Sequence, residues 1–594
     1  MRFERFKRLS RGYIFLSLLL TSSPVLAEDR EVLLERVQIT GKAYLFPFER
    51  TPQEVTIIPK PFIEKGAILH SAIDIRERGG FGVQEDLSIR GTNFEQNLIL
   101  IEGLRVSDLQ TGHHLMNLPI LNQNLSAIEV LTGGASPSYG PSGFGGALNY
   151  VLEKPKKPHA FASANLASYD YQDYTLHLSY PLPHLPFSLS LQQKKSEGFI
   201  WNRDFNIRSL NLYTKDDKKL LFYGFVEKDF GARNFYTPRF DGEWEETRTQ
   251  IFLAKRLFNI GSFLFEPGII ARVNHDHYIL DRKNPSFYQN KHNSKLLRIN
   301  LPFSLEGKKS ISTFGLEGSY ETLSSTRLGG LLRRAIGIYS GINFELFERT
   351  YVDLRGRYDI YAGEKDFFSL GFGFSYLPNR ELKLRAQANI SYRLPSATEL
   401  RYKSVGIKGN PELSPEKALN LEGGFDYHLP KGIFSFTLFL RKGQNLIDWI
   451  SYPSGTFAEN IDVSAVGGTI NFIFNSSFGN FMVSYTYVNL FGENISLSRY
   501  HGNYLRHNLQ LALVKNLPLG FNLKLHFNPQ KRYNQPEVYL LGFDLEKRFK
   551  GLSLRLWGEN LLDEKYYEIY YPLQKKGVLA QPQTIGIGLK WEAM

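Results

Sequence analysis

The chain has 594 residues, a formal charge of +12 and no cysteine, and it carries 45 Phe, 33 Tyr and 51 Gly. Without thiols there are no disulfide staples, no thiolate catalysis and no Cys-ligated zinc or iron–sulfur sites. The positive excess is diluted over a large surface, and no basic run with interleaved aromatics points to a nucleic-acid partner.

The N-terminus sets the compartment. Arg2, Arg5, Lys7, Arg8 and Arg11 precede a short apolar stretch at 13–20, and Val25-Leu26-Ala27 offers a cleavage point before Glu28. This is the layout of a secretory signal peptide over 1–27, and its apolar core is too short to span a membrane. Downstream, no stretch of about 18 apolar residues occurs, so no transmembrane helix is expected.

Residues 28–48 read as a periplasmic segment and 49–155 as a compact mixed α/β domain. Leu98-Ile99-Leu100-Ile101 and Ala127-Ile128-Glu129-Val130-Leu131 look like short core strands. Glycine turns punctuate them at Gly79-Gly80, Gly133-Gly134 and Gly145-Gly146, and one or two short helices are expected within 60–78. The boundary signal to the next region is Lys154-Pro155-Lys156-Lys157-Pro158. So short a tether favours a domain packed inside its neighbour over one swinging free.

From 156 to 594 the texture changes to short alternating segments. Phe187, Leu189 and Leu191 alternate with Ser188, Ser190 and Gln192; Phe521, Leu523, Leu525 and Phe527 alternate with Asn522, Lys524, His526 and Asn528. Near the end Ile585, Ile587, Leu589 and Trp591 alternate with Gly586, Gly588 and Lys590. Period two gives each strand one greasy and one wet face. A soluble sandwich of this length would need several separate cores, whereas a closed barrel in lipid leaves no edge unpaired. The fold expected is an all-β transmembrane barrel of about 22 antiparallel strands, at roughly 20 residues per strand and turn, with the N-terminal α/β plug domain inside it.

Four motifs in order then resemble the TonB-dependent outer-membrane receptors. Leu87-Ser88-Ile89-Arg90-Gly91 with Leu98-Ile99-Leu100-Ile101-Glu102-Gly103 resembles the family's "RG…LVLIDG". Ile128-Glu129-Val130-Leu131, Ser138-Tyr139-Gly140 and Gly145-Gly146-Ala147-Leu148-Asn149 resemble "IEVLRGP.S.LYG…GGVINI". Tyr392-Arg393-Leu394-Pro395-Ser396, Gly409-Asn410-Pro411-Glu412-Leu413 and Pro415-Glu416-Lys417 are similar to "FRAPS…GNPELKPEK". Glu559-Asn560-Leu561-Leu562-Asp563 with Tyr566-Tyr567 resembles "NLFDK.YY".

The resemblance implies energy-coupled uptake of a scarce nutrient across the outer membrane. Residues 34–41 then look like a TonB box, with Glu35, Arg36, Val37, Gln38, Ile39 and Thr40 adding as a strand to the edge of TonB, itself driven by ExbB-ExbD. Lipid bilayer and lipopolysaccharide are the implied surroundings. Arg90 is the implied plug–barrel contact with Glu422 as its partner, whereas Thr132 stands where many members have an arginine. The chain also overshoots the usual final aromatic, ending Trp591-Glu592-Ala593-Met594.

The ligand floor is expected on the plug loops at 79–86 and 107–114. Gln110, Thr111, Gly112, His113, His114 and Asn117 are the candidate binding residues, and the Asp-x-Gln-Thr-Gly-His-His string resembles that loop in cobalamin receptors. Adjacent histidines in extended chain point oppositely, so hydrogen bonding is expected of His113 and His114 and no metal site is assigned. Cobalamin or another corrinoid is the first expectation and a ferric siderophore the second. Haem is disfavoured because 392–413 contains no histidine. No cofactor and no enzyme activity are expected, since no Walker loop, His-Glu-x-x-His helix or Gly-x-Ser-x-Gly elbow occurs. A passive porin or an outer-membrane hydrolase are the readings from other classes.

Overall fold

A computed structural model describes residues 38–39, 46–47, 50–63 and 70–593. The signal-peptide stretch and most of the 34–41 segment lie outside the described residues. Within that segment Gln38–Ile39 pairs antiparallel with Phe46–Pro47.

The alternating segments close into a barrel of 22 long antiparallel strands. The first, His159–Ala167, pairs with the last, Thr584–Ala593, as in Leu166↔Ile587 and Ala162↔Trp591. Lipid and water explain the alternation physically. Leu176 and Leu178 point outward, while Thr175, His177 and Ser179 point in and are buried. Ile585, Ile587, Leu589 and Trp591 are all exposed on the outer face of the closing strand. Turns at the plug-entry end are short, as at 183–184, 216–218 and 430–431, whereas the opposite end carries long connections at 232–243, 394–415, 493–504 and 560–583. Short periplasmic turns and long outer loops orient the barrel. A small hairpin, Phe258–Ile260 with Phe263–Phe265, extends the periplasmic rim, and Trp244–Arg256 still pairs directly with Gly268–Ile279.

Inside sits the N-terminal plug. Its sheet runs in the order Val55–Pro59, Leu125–Thr132, Gly146–Leu152, Leu98–Ile101, Leu104–Val106, with Leu98–Ile101 and Gly146–Leu152 parallel. Ile58, Ile99, Ile101, Val130 and Leu148 form its core together with barrel residues Phe222, Ile251 and Leu253. The plug is thus part of one hydrophobic unit with the wall. Helices occur at Lys60–Ile63 and Ser136–Tyr139.

Within 60–78, where one or two short helices are expected, Lys60–Ile63 is helical and Ile73–Arg78 is a strand hairpinned to Gln84–Ile89, with 64–69 outside the described residues. Its alternation of Ile73 and Ile75 with Asp74 and Arg76 is period two, and the wall satisfies the charge on Asp74. Arg532 grips Asp74 through both oxygens, at 2.7 and 2.8 Å, and also reaches Glu568 at 2.9 Å.

Candidate functional site

The outer end of the plug carries the candidate site. The loop after Leu104–Val106 descends from Ser107 into a 3-10 turn, Gly112–His114, whose first N–H is held by the Glu95 carboxylate at 2.7 Å. A Cβ at Gly112 would stand 2.8 Å from the Phe94 ring, so the loop can lie this close only with glycine there. Burial, with Glu399 beside it, pushes the Glu95 carboxyl up to about 7 despite Arg393.

The turn aims its two histidines differently. His113 Nδ1–H donates to Asp86 at 2.7 Å, its Nε2 accepts from the Tyr500 hydroxyl at 3.2 Å, and its ring stacks on Phe94. Burial drives His113 down to about 4, outweighing the pull of Asp86, so the ring is neutral and locked in this tautomer. His114 faces the barrel wall, with Nε2 3.3 Å from Asp276 Oδ2. Burial opposes its charge, but the hydrogen bond and charge of Asp276, with Glu245 and Asp108 behind, carry His114 up to about 9. The two histidines stand in a 3-10 turn and not in extended chain, and they diverge because their partners lie on different elements.

The remaining candidates gather around the same spot. Gln110 Nε2 donates to Asp276 Oδ2 at 2.5 Å, Thr111 caps the turn, and Asn117 bridges His114 and Thr247 at 3.4 and 3.5 Å. Asp108 is ion-paired to Arg272, which also donates to the His114 carbonyl at 2.8 Å. From above, the helix Ala397–Arg401 fastens the loop: the N–H groups of Ala397 and Thr398 donate to the carbonyls of Leu109 and Gln110, both at 3.0 Å.

That helix explains one sequence motif. Ser396 and Glu399 form a capping box, and Arg393 joins Glu399 and Glu416 in a buried cluster that also receives Gln96 of the plug. Tyr236, Trp449, Arg499 and Tyr500 from the outer loops roof the space. What is left between plug and roof is a cavity of about 110 Å³ lined by His113, His114, Glu245, Asp276, Asn290 and His292 among others.

Asp276, Glu245, His292, Tyr236 and Tyr500 were not singled out from the sequence. Each is one inward or loop residue among many of its type, and only the strand register selects it.

Arg90 sits in the seam between plug and wall. Its guanidinium donates to Glu422 at 2.6 Å and pairs with Glu54, while Thr132 Oγ1 donates to the same Glu54 carboxylate at 2.9 Å. The Thr132 hydroxyl, where the resemblance leads one to expect a second arginine, thus bonds within the plug. Arg441 donates to the Arg90 carbonyl at 3.1 Å.

Two family models match. Residues 48–147 match the TonB-dependent Receptor Plug Domain, and residues 157–561 match the TonB dependent receptor-like β-barrel. The chain belongs to the TonB-dependent receptor family.

This receptor is therefore an outer-membrane β-barrel of the kind that couples to TonB for transport of a small-molecule ligand. It is 22% identical to the vitamin B12 transporter BtuB of Vibrio vulnificus over 490 residues, 75% of this chain and 76% of that protein. The siderophore receptor PirA from Acinetobacter baumannii superposes with a TM-score of 0.71 at 14% identity, covering 91% of the receptor and 98% of PirA. A variant of the ferric enterobactin receptor PfeA from Pseudomonas aeruginosa, in complex with enterobactin, superposes with a TM-score of 0.73 at 16% identity, covering 92% and 100%. At these identities the structural likeness speaks for the fold alone.

Proposed function

We propose that this receptor captures a scarce metal-bearing nutrient at the plug apex and imports it to the periplasm, with TonB and its ExbB-ExbD motor pulling on residues 34–41. The observation that supports this is the convergence of the plug loop 107–117 on a histidine- and carboxylate-lined patch at the outer end of the barrel wall. Hydrogen-bond donors and acceptors concentrate there, and the roof loops exclude bulk water. No bond need be made or broken in the chain, so the role is that of a carrier and not of an enzyme.

A corrinoid is the first cargo to test. The loop resembles that of cobalamin receptors, and a vitamin B12 transporter is among the relatives. A ferric siderophore is the second, since structural neighbours include siderophore receptors. A cavity of about 110 Å³ is far smaller than either, so both require the loops at 232–243 and 493–504 to withdraw on entry.

Binding of cobalamin and a panel of ferric siderophores to the purified receptor tests the choice. Submicromolar affinity for one of them, with uptake lost in cells lacking TonB, is the expected result. Micromolar or weaker binding to all would remove both cargoes.

A further inference from the structure

We infer that the plug loop and three neighbouring barrel strands build a binding site for a single divalent transition-metal ion of the zinc type, ligated directly by His114, Asp276 and Glu245, with His292 beside them on the wall. The inference rests on the reading of this pocket as the uptake site and specifies what the pocket itself recognises.

The sheet register assembles the wall half. Thr247 on Trp244–Arg256 lies opposite Asp276 on Gly268–Ile279, and Asp276 lies opposite His292 on Gln289–Glu306. Glu245, two residues from Thr247, shares its inward face. The plug turn adds His114 from the centre of the barrel. Ligand-capable atoms of His114, Glu245 and Asp276 all lie within 4.8 Å of one another. With bonds of about 2.0–2.2 Å, two ligands on a tetrahedral ion stand about 3.3 Å apart. His114 Nε2 and Asp276 Oδ2 are already separated by 3.3 Å.

The partner pattern sets this cluster apart from the arginine-clamped carboxylates of the interior. Asp74, Asp86, Glu54, Glu317 and Asp426 are each ion-paired to arginine. Among the described residues neither Asp276 nor Glu245 has an arginine or lysine ion pair, although both are buried. Asp276 is paired with His114 and Glu245 accepts from the Tyr236 hydroxyl, and a divalent ion in their midst would replace the His114 proton as the counter-charge to both carboxylates.

Unused acceptors face the same cavity. Asp276 Oδ1, Gln110 Oε1, Asn290 Oδ1 and His292 Nδ1 have no hydrogen-bond partner among the described residues, and these side chains are only 6%, 4%, 2% and 6% exposed. One imidazole and two carboxylates, without sulfur, suit zinc, nickel, cobalt or manganese over a soft cuprous ion. Asn117 supplies the outer support: with its amide turned over it accepts from His114 Nδ1–H and leaves Nε2 to the ion.

The test uses the purified full-length receptor, stripped with chelator and titrated with Zn²⁺ alone. Saturable binding of one ion is expected, with an X-ray absorption shell of nitrogen and oxygen that includes imidazole. His114→Gln and Asp276→Asn should each weaken binding by at least about tenfold. His184→Ala, on an exposed periplasmic turn, should leave the affinity unchanged. Heat-modified gel migration checks that each barrel is folded, and Glu245→Gln replaces any variant that fails it.

No saturable binding, or wild-type affinity in both site variants, overturns the ion site. Cobalamin or chelate uptake in a receptor that does not bind zinc overturns the ion site alone and leaves the importer reading standing. Zinc bound at the site but not accumulated through TonB supports the site while removing the metal as cargo.

Discussion

Arg90 of the plug and Glu422 of the barrel are 332 residues apart in the chain and 2.6 Å apart in space. Both are nearly solvent-free, and the same guanidinium also neutralises Glu54, just ahead of the plug strand Val55–Pro59. Burial alone would push the Glu54 carboxyl up; Arg90, Arg385 and His70 together hold it below its usual range. One cation therefore fastens two buried anions across the seam. Removing it with Arg90→Ala leaves both without that partner and should cost the plug dock about 3–5 kcal/mol. Hydrogen exchange of the Leu125–Thr132 amides reads this directly, and unchanged protection there would refute it.

The loop beside this pair tolerates no side chain. A Cβ at Gly134 would stand 1.5 Å from Asn389 Oδ1 and 2.6 Å from Asn420 Nδ2, two wall residues hydrogen-bonded to each other at 3.0 Å. Gly134→Val should lift the loop off the wall at a cost of about 1–3 kcal/mol and let large antibiotics leak through the outer membrane. The heat-modified gel band of the barrel should not change. A variant as tight as the wild type would show that the asparagines swing aside freely.

Acid should loosen the plug through His70. Its Nδ1 accepts from the Ala72 N–H at 3.2 Å, and Nε2–H donates to Thr56 Oγ1 at 3.1 Å, so both nitrogens are committed in the neutral form. Burial lowers His70 from 6.5 to about 4, with Glu54 only partly offsetting it. The unfolded plug thus binds more protons between those values, and stability falls as pH drops from 6.5 toward about 4. His70→Gln should flatten plug stability over that window when chemical denaturation is followed against pH. An equally steep profile in the variant would assign the acid sensitivity to other groups.

Coupling is separable from binding. Deleting residues 34–41 should abolish uptake and leave ligand affinity at the outer mouth unchanged, because no described contact of the apex pocket involves that segment. Val37→Pro should do the same by removing an N–H from strand addition. Uptake that survives the deletion would favour a passive pore.

Much of this architecture is legible in the sequence because its causes are local. Lipid outside and water inside impose period two on every strand independently, so Phe187 to Leu191 and Ile585 to Trp591 each declare the barrel without reference to the rest. The plug motifs and Arg90 are readable for a similar reason, as short strings that must make a tight turn or carry a single charge. Within 60–78 the short helix expected is found at Lys60–Ile63, but the strand at Ile73–Arg78 is less legible, because it is the wall's Arg532 that lets this charged, alternating segment be buried.

What only the tertiary structure decided is the company each side chain keeps. Asp276 is one inward carboxylate among many until register sets it opposite His292 and plug seating brings His114 within 3.3 Å, 162 residues away. Pairing register and plug docking are collective properties of the closed barrel. Period two tells each residue which face it takes; only closure and packing tell it which neighbour it meets.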